Sequence, residues 1–283
     1  MVQRGEDTVL QNRIDEGNDD PANFRNIMTL QNVQLSSITR DNFVGGVDPN
    51  GSRQALDLVG TAGDDILTGS WLDDRLAGGA GDDILTGGVG DDLLFGGTGL
   101  DTARYSSLRE EYSVSGTAAM GKWVVADARG GPDDGTDQLD SIERLVFANG
   151  ALALDLDGIA AQAYRLYRAA FARAPEEEGL GFWIAMLDRG ITLHTAAGAF
   201  ASTPELRDLY GAAPSTAGIV TRLYHNVLGR EPEQGGFEFW IGVLDSQRAD
   251  LATVLAAFSD SAENVEAVAP LIGQGIAYQP WGG

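Results

Sequence analysis

The chain has 283 residues, with 42 acidic side chains against 19 basic ones, a formal charge of −23, 38 glycines, two histidines and no cysteine. Such an excess of carboxylate repels nucleic-acid phosphates and anionic lipid headgroups, and the lack of cysteine removes disulfides, thiolate metal sites and thiol nucleophiles together. His194 and His225 are too few for a multi-histidine transition-metal centre, whereas hard, oxygen-preferring cations suit this composition.

In chain order, residues 1–59 are polar, with short apolar islands such as Ile27-Met28-Thr29-Leu30 and Asn42-Phe43-Val44, and read as loop and irregular strand. The opening MVQRGEDTVLQNRIDEGNDD carries charges where a secretory signal has an apolar run. No apolar stretch reaches the roughly twenty residues of a membrane-spanning helix. The length is that of one large domain or two to three small ones.

Residues 60–104 repeat every nine positions: GTAGDDILT from Gly60, GSWLDDRLA from Gly69, GGAGDDILT from Gly78, GGVGDDLLF from Gly87 and GGTGLDTAR from Gly96. Glycine stands first in every repeat. The sixth position is always aspartate (Asp65, Asp74, Asp83, Asp92, Asp101), and the eighth is Leu67, Leu76, Leu85, Leu94 and then Ala103. Glycine opens backbone conformations closed to other residues, so each turn can curl its carbonyls inward, and the aspartate adds a carboxylate to that oxygen cage. Oxygen-only ligation at a flexible site favours Ca²⁺ over Zn²⁺ or Mg²⁺. The eighth residue then points into a narrow core.

This array resembles the RTX, or haemolysin-type, calcium-binding nonapeptide GGxGxDxUx, whose repeats wind into a Ca²⁺-binding parallel β-helix. The resemblance implies two nonapeptides per coil and sites between repeats eighteen residues apart. Asp65 would pair with Asp83, Asp83 with Asp101, and Asp74 with Asp92, for up to about three ions. Gly60, Gly63, Gly78, Gly81, Gly87, Gly90, Gly96 and Gly99 would shape those turns. Ser70 and Leu72 depart from the pattern, and Leu72 would strain a turn that needs positive φ. Ala103 is expected to end the coil. The adjacent Asp-Asp pairs stack like charges, so folding and cation binding should be one event, completed only at extracellular Ca²⁺ levels.

Residues 105–155 alternate like strands: Tyr112-Ser113-Val114, Lys122 to Val125, Ile142 to Phe147 and Leu152 to Leu154, with a turn over residues 130–135. They are expected to pack on the outward stripe of Ile66 and Ile84, and resemble the β segment that follows RTX repeats. Asp133, Asp134 and Asp137 could hold an accessory cation or simply form a polar turn. At Asp155-Leu156-Asp157-Gly158, Asp157 is expected to be a helix N-cap rather than a calcium ligand.

Residues 156–283 switch to helical spacing and duplicate, with copies at about 159–206 and 216–273. Leu166-Tyr167, Arg173, Pro175, Gly179 and Phe182-Trp183-Ile184 recur 57 residues on, and Leu193, Phe200 and Glu205 recur 58 on. The spacing reads as a duplicated three-helix unit. The pattern resembles a helical domain of unknown function found in secreted RTX and surface-layer-associated bacterial proteins, which implies no chemistry. Tyr167, Tyr224, Trp183, Trp240, Phe182 and Phe239 read as core, with a sugar-binding platform as the sharper alternative. Arg173 and Arg230 are expected to satisfy helix C-terminal carbonyls, and Ala172, in place of Gly229, to blunt one helix end.

No nucleophile elbow, zinc-protease helix or phosphate loop occurs in the sequence. The expected architecture is α+β multidomain: a polar N-terminal segment (1–59), a parallel β-roll (60–104), a flanking β segment (105–155) and an all-α duplicated helical domain (156–283). The expected function is that of a secreted, non-catalytic Ca²⁺-binding protein with a cell-surface, adhesion or matrix role. Its partners would be the type I secretion apparatus and a surface polymer or surface protein. The competing reading is the C-terminal export and folding tail of a larger secreted hydrolase.

Overall fold

The computed structural model describes residues 2–4, 7–13, 24–30 and 55–282, apart from 118–119, 130–133 and 212–213. Within the N-terminal region read as irregular, β1 (Val2–Arg4), β2 (Asp7–Arg13) and β3 (Phe24–Leu30) form an antiparallel three-stranded sheet. The island at Ile27–Leu30 falls in β3, whereas Asn42–Val44 lies outside the described residues.

From Asp57 the chain winds. β4 (Asp57–Val59), β6 (Arg75–Ala80) and β8 (Leu93–Thr98) stack in parallel on one face, and β5 (Ile66–Thr68), β7 (Ile84–Thr86) and β9 (Thr102–Arg104) on the other. Each register step is eighteen residues, as in Leu58↔Leu76 and Leu76↔Leu94. That spacing puts every eighth-position side chain inside, and Leu76, Leu85, Leu94 and Ala103 are fully buried.

Ala103 does not end the coil. After the hairpin β10 (Tyr112–Thr117) and β11 (Lys122–Asp127), β12 (Thr136–Asp140) stacks in parallel on β8 with Leu139 opposite Leu94. Likewise β13 (Arg144–Phe147) stacks on β9 with Leu145 opposite Ala103. Leu139 and Leu145 thus continue the ladder one more turn, with a shorter connection between them than a nonapeptide provides. The flanking segment therefore adds to the end of the roll rather than covering its side, and Ile66 stays 74% exposed.

β14 (Gly150–Ala153) returns antiparallel to β13 and pairs with β15 (Ile276–Tyr278), so the last strand of the chain closes this sheet. Between β14 and β15, among the described residues, come eight α-helices. The first copy is α1 (Ile159–Phe171), α2 (Glu177–Asp188), α3 (Leu193–Ala201) and α4 (Pro204–Tyr210). The second is α5 (Thr216–Leu223) with a π turn at Tyr224–Leu228, then α6 (Gln234–Asp245), α7 (Leu251–Ser259) and α8 (Ala262–Ile272). Each copy thus carries a fourth helix beyond the three that the spacing suggested. Thr203 and Ser261 start those fourth helices by accepting the N–H of Leu206 and Asn264.

Phe200 of α3 is buried against Tyr167, Phe171 and Trp183, at ring-centroid distances of 5.5, 5.2 and 4.6 Å. In the second copy Phe258 packs on Tyr224 and Trp240, at 5.2 and 5.3 Å. Tyr167, Tyr224, Trp183 and Trp240 belong to or pack on this core, whereas Phe182 is half-buried against Trp183 and Trp281 outside it and Phe239 is 60% exposed. Arg173 and Arg230 bind carboxylates instead of ending helices: Arg173 reaches Glu205 and Glu176, Arg230 reaches Glu263 and Glu233. Their guanidiniums lie 5.1 and 5.0 Å from the rings of Tyr167 and Tyr224, which donate to Glu176 and Glu233. Ala172 takes the same left-handed cap as Gly229, φ 54° against 66°, so that helix end is not blunted. Ahead of α1, Asp155 rather than Asp157 captures a free N–H, that of Ala160.

Candidate calcium turns

In the turns begun by Gly69, Gly78 and Gly87, two neighbouring aspartates reach in opposite directions. The sixth-position carboxylates reach back one coil: Asp83 Oδ1 accepts from Asp65 N at 2.8 Å, Asp92 from Asp74 N at 2.7 Å, and Asp101 from Asp83 N at 2.9 Å. The fifth-position carboxylates reach forward: Asp64 accepts from Asp82 N at 2.8 Å, Asp73 from Asp91 N at 2.9 Å, and Asp82 from Leu100 N at 2.8 Å. Turn backbone that lacks a ladder partner is thereby satisfied by side chains.

The last coil supplies the same parts without the sequence repeat. Asp137 Oδ1 accepts from Asp92 N at 3.0 Å and Glu143 Oε2 from Asp101 N at 2.9 Å. Thr136 N donates to Asp91 at 2.8 Å, and Gly135 presses on the Gly90 carbonyl. Sequence reading offered Asp137 as a possible accessory cation ligand but missed Glu143 and the continuation of the coil. The signal was Gly135-x-Asp137-x-Leu139, which keeps positions four, six and eight of the nonapeptide. Asp133 lies outside the described residues, and Asp134 accepts the Tyr112 hydroxyl.

Two classes of turn follow from position two. In the turns starting at Gly78, Gly87 and Gly96, the second and fourth residues are glycines with φ between 109° and 135° (Gly79, Gly81, Gly88, Gly90, Gly97, Gly99). There the second carboxylate oxygen of Asp83, Asp92 and Asp101 is buried with no hydrogen-bond partner. In the first two turns Thr61 and Ser70 hold position two. Asp65 Oδ2 accepts from Thr61 N at 2.5 Å and from its hydroxyl at 2.9 Å, and Asp74 Oδ2 accepts from Ser70 N. Neither Gly63 nor Leu72 has positive φ, so the strain expected at Leu72 is avoided by a different turn.

First-position glycines serve through space rather than through φ. A methyl group added at Gly78 or Gly87 would lie 2.1 Å from Oδ2 of Asp83 or Asp92. At Gly97 and Gly99 it would lie 2.1 and 2.0 Å from the carbonyl oxygens of Gly79 and Gly81. Carbonyl and carboxylate oxygens thus converge in turns too tight for any side chain.

Burial raises the Asp92 carboxyl to about 6, with Asp74, Asp73 and Asp91 adding repulsion, and raises Asp101 beside Asp83 and Asp82. Asp137 is pushed to about 8, chiefly by burial. Buried, unpartnered carboxylate oxygens are among the most costly groups a fold can hold, and a bound cation relieves that cost. Among the described residues no three His, Cys, Asp or Glu side chains cluster as a metal site. A cation here would therefore draw on main-chain oxygen, which suits Ca²⁺.

Two families match this chain. Residues 57–71 and 68–103 match the RTX calcium-binding nonapeptide repeat (4 copies), and residues 197–268 match a domain of unknown function (DUF4214). The second match runs from within α3 to within α8, so it straddles the two helical copies. Neither is described as an enzyme family. No curated protein matches the chain. Among solved structures, the extracellular lipase LipA from Serratia marcescens is 22% identical over 36% of this chain and 17% of the lipase, with a TM-score of 0.31. The roll and the helical region thus carry RTX calcium-binding repeats and a domain of unknown function, and no helix among the described residues is long and apolar enough to cross a membrane.

Proposed function

We propose that this chain is a secreted, non-catalytic calcium protein whose roll folds outside the cell and there takes a surface, adhesion or matrix role. The observation that carries the calcium part is the unpartnered, buried oxygen of Asp83, Asp92 and Asp101. These three aspartates, with carbonyls of the turns begun by Gly78, Gly87 and Gly96, hold up to three Ca²⁺. Gly81, Gly90 and Gly99 keep those turns left-handed. Asp65 and Asp74, with Gly60 and Gly63, belong to a first coil whose carboxylates are already occupied by Thr61 and Ser70, and contribute less to affinity. The bound ions supply the positive charge that lets the buried acids ionise.

Extracellular modules bind Ca²⁺ at roughly 10⁻⁴–10⁻³ M, well above cytosolic levels. The roll then stays open during export through the type I secretion apparatus and closes outside. Circular dichroism during a Ca²⁺ titration tests this: β signal should grow cooperatively in the millimolar range and reverse with chelator. A roll equally folded in chelator would count against it. Cell-surface binding by the folded form, lost in chelator, tests the surface role.

A further inference from the structure

Where the last coil meets the helices, a groove of about 520 Å³ opens that belongs neither to the calcium turns nor to the aromatic core. Its size falls in the range of roughly 300–1,000 Å³ typical of small-molecule sites. Half-buried Val114 of β10 supplies the apolar part of the floor, over the buried Ala151 and Leu152 of β14. Around it stand Arg109, Glu110, Asn149, Glu177, Gln274 and Gln279. They come from the 3₁₀ turn at 109–111, the β13–β14 turn, the start of α2 and the approach to and exit from β15.

The rim is set before any ligand arrives. Asn149 Oδ1 accepts from Arg109 N, and Asn149 Nδ2 donates to Glu110 Oε2, both at 2.9 Å. Gln279 Nε2 donates to the Asn149 carbonyl at 2.9 Å and to Glu177 Oε2 at 3.3 Å. Each carboxylate is oriented by one amide and keeps acceptor capacity, since an ionised carboxylate offers about four lone-pair sites. The Arg109 guanidinium and the Gln274 amide make no hydrogen bond to another described side chain and add donors and an acceptor on the same rim.

We propose that this groove binds a neutral saccharide, one or two sugar units of a larger glycan. Sugar hydroxyls donate and accept at neighbouring positions, which matches a rim of carboxylates, amides and a guanidinium, while the apolar floor meets the C–H face of the ring. An apolar ligand would strip these polar groups of water without replacing their hydrogen bonds. A polyanion would face two carboxylates against one arginine on a chain of charge −23. The proposal rests on the calcium reading, because Asn149 is carried by strands stacked on the roll's last coil.

Calorimetry on the full chain in Ca²⁺ would test it, with glucose, galactose, N-acetylglucosamine and dextran as neutral probes and alginate as the polyanion. Saturable binding of at least one neutral probe is expected, weakened tenfold or more by Arg109→Ala and by Gln274→Ala. Arg104→Ala, outside this groove, should leave it unchanged. Circular dichroism on each sample separates the possible failures. A folded roll that binds no neutral probe, or alginate alone, overturns the saccharide proposal. A roll that ignores Ca²⁺ overturns the calcium reading and this one with it.

Discussion

In the roll, the core is a single file of side chains, Leu76, Leu94 and Leu139 on one sheet and Leu85, Ala103 and Leu145 on the other. Apart from Ser70 and, at the joint with the helices, Arg144, its buried polar groups are acids: Asp74, Asp83, Asp92, Asp101 and Asp137. The helical pair buries a broad cluster around Phe200, Phe258, Leu166 and Leu223, and its buried polar groups are Arg165, Ser259 and Asn264. Apolar burial stabilises the helices by itself, at roughly 25 cal/mol per Å². In the roll the same effect acts on a file one residue wide and is opposed by clustered negative charge. Apolar burial thus favours the helices unopposed, whereas in the roll it works against clustered acid that, under the proposed function, a bound cation offsets.

The largest expected effect separates the two regions outright. Removing Ca²⁺ with chelator should collapse hydrogen-exchange protection across β4–β9 and β12–β13 while α1, α3 and α7 stay protected. Loss of protection in both regions together would show one cooperative unit and break the comparison.

Next comes the joint between them. Arg144 of β13 is buried and pairs with Asp155 and, at 3.2 Å, with Asp188 of α2. Removing one partner of a buried ion pair costs about 3–5 kcal/mol, because the other charges stay behind unpaired. Arg144→Ala should lower the thermal midpoint of the Ca²⁺-loaded chain and make α2 exchange faster. An unchanged midpoint would mean that the regions are stable independently of this contact.

How far each region could be read from sequence follows the same division. Phased glycines, aspartates and leucines disclosed five half-coils, because every coil repeats one solution to one packing problem. Three half-coils escaped notice: β4, which precedes the first glycine repeat, and β12 and β13, where the β10–β11 hairpin interrupts the phase and Glu143 replaces aspartate. The roles of the Asp-Asp pairs were also hidden. Like charges adjacent in sequence suggest repulsion, and only the coil geometry shows one reaching forward and the other back. In the helices the 57-residue echo of Arg173 and Glu176 in Arg230 and Glu233 was visible, but not that the arginine bridges to Glu205 or Glu263 two helices away. Helical spacing reports faces, not which remote carboxylate a long side chain meets.

Inside the roll, the two classes of turn set up a narrower contrast. Asp92→Asn keeps the acceptor for Asp74 N but removes the charge next to the unpartnered oxygen. The Ca²⁺ midpoint should rise about tenfold, on the order of the 1.5–3 kcal/mol carried by a contact to a charged group. Asp65→Asn, where Thr61 already satisfies the carboxylate, should shift it by less than about threefold on the same scale. Equal shifts would mean that the first coil binds as well as the later ones.

The smallest effect is on pH, in the cation-free roll. Burial lifts the folded-state carboxyl of Asp92 to about 6 and of Asp137 to about 8, and raises Asp101 and Glu143 as well. An unfolded aspartate titrates near 3.9, so between about pH 4 and pH 8 the folded roll binds more protons than the unfolded one. Stability of the cation-free roll should therefore fall as pH rises through that window, opposite to the usual behaviour of salt-bridged acids. Chelator-treated chain should gain β signal when taken from pH 8 to pH 5, with the helical signal nearly constant. Added Ca²⁺ should reverse the slope, because ions and protons compete for the same carboxylates, and affinity should climb with pH until those acids are ionised. If the cation-free roll gained structure with rising pH, buried acid would not be what holds it open, and the contrast between the two regions would need another cause.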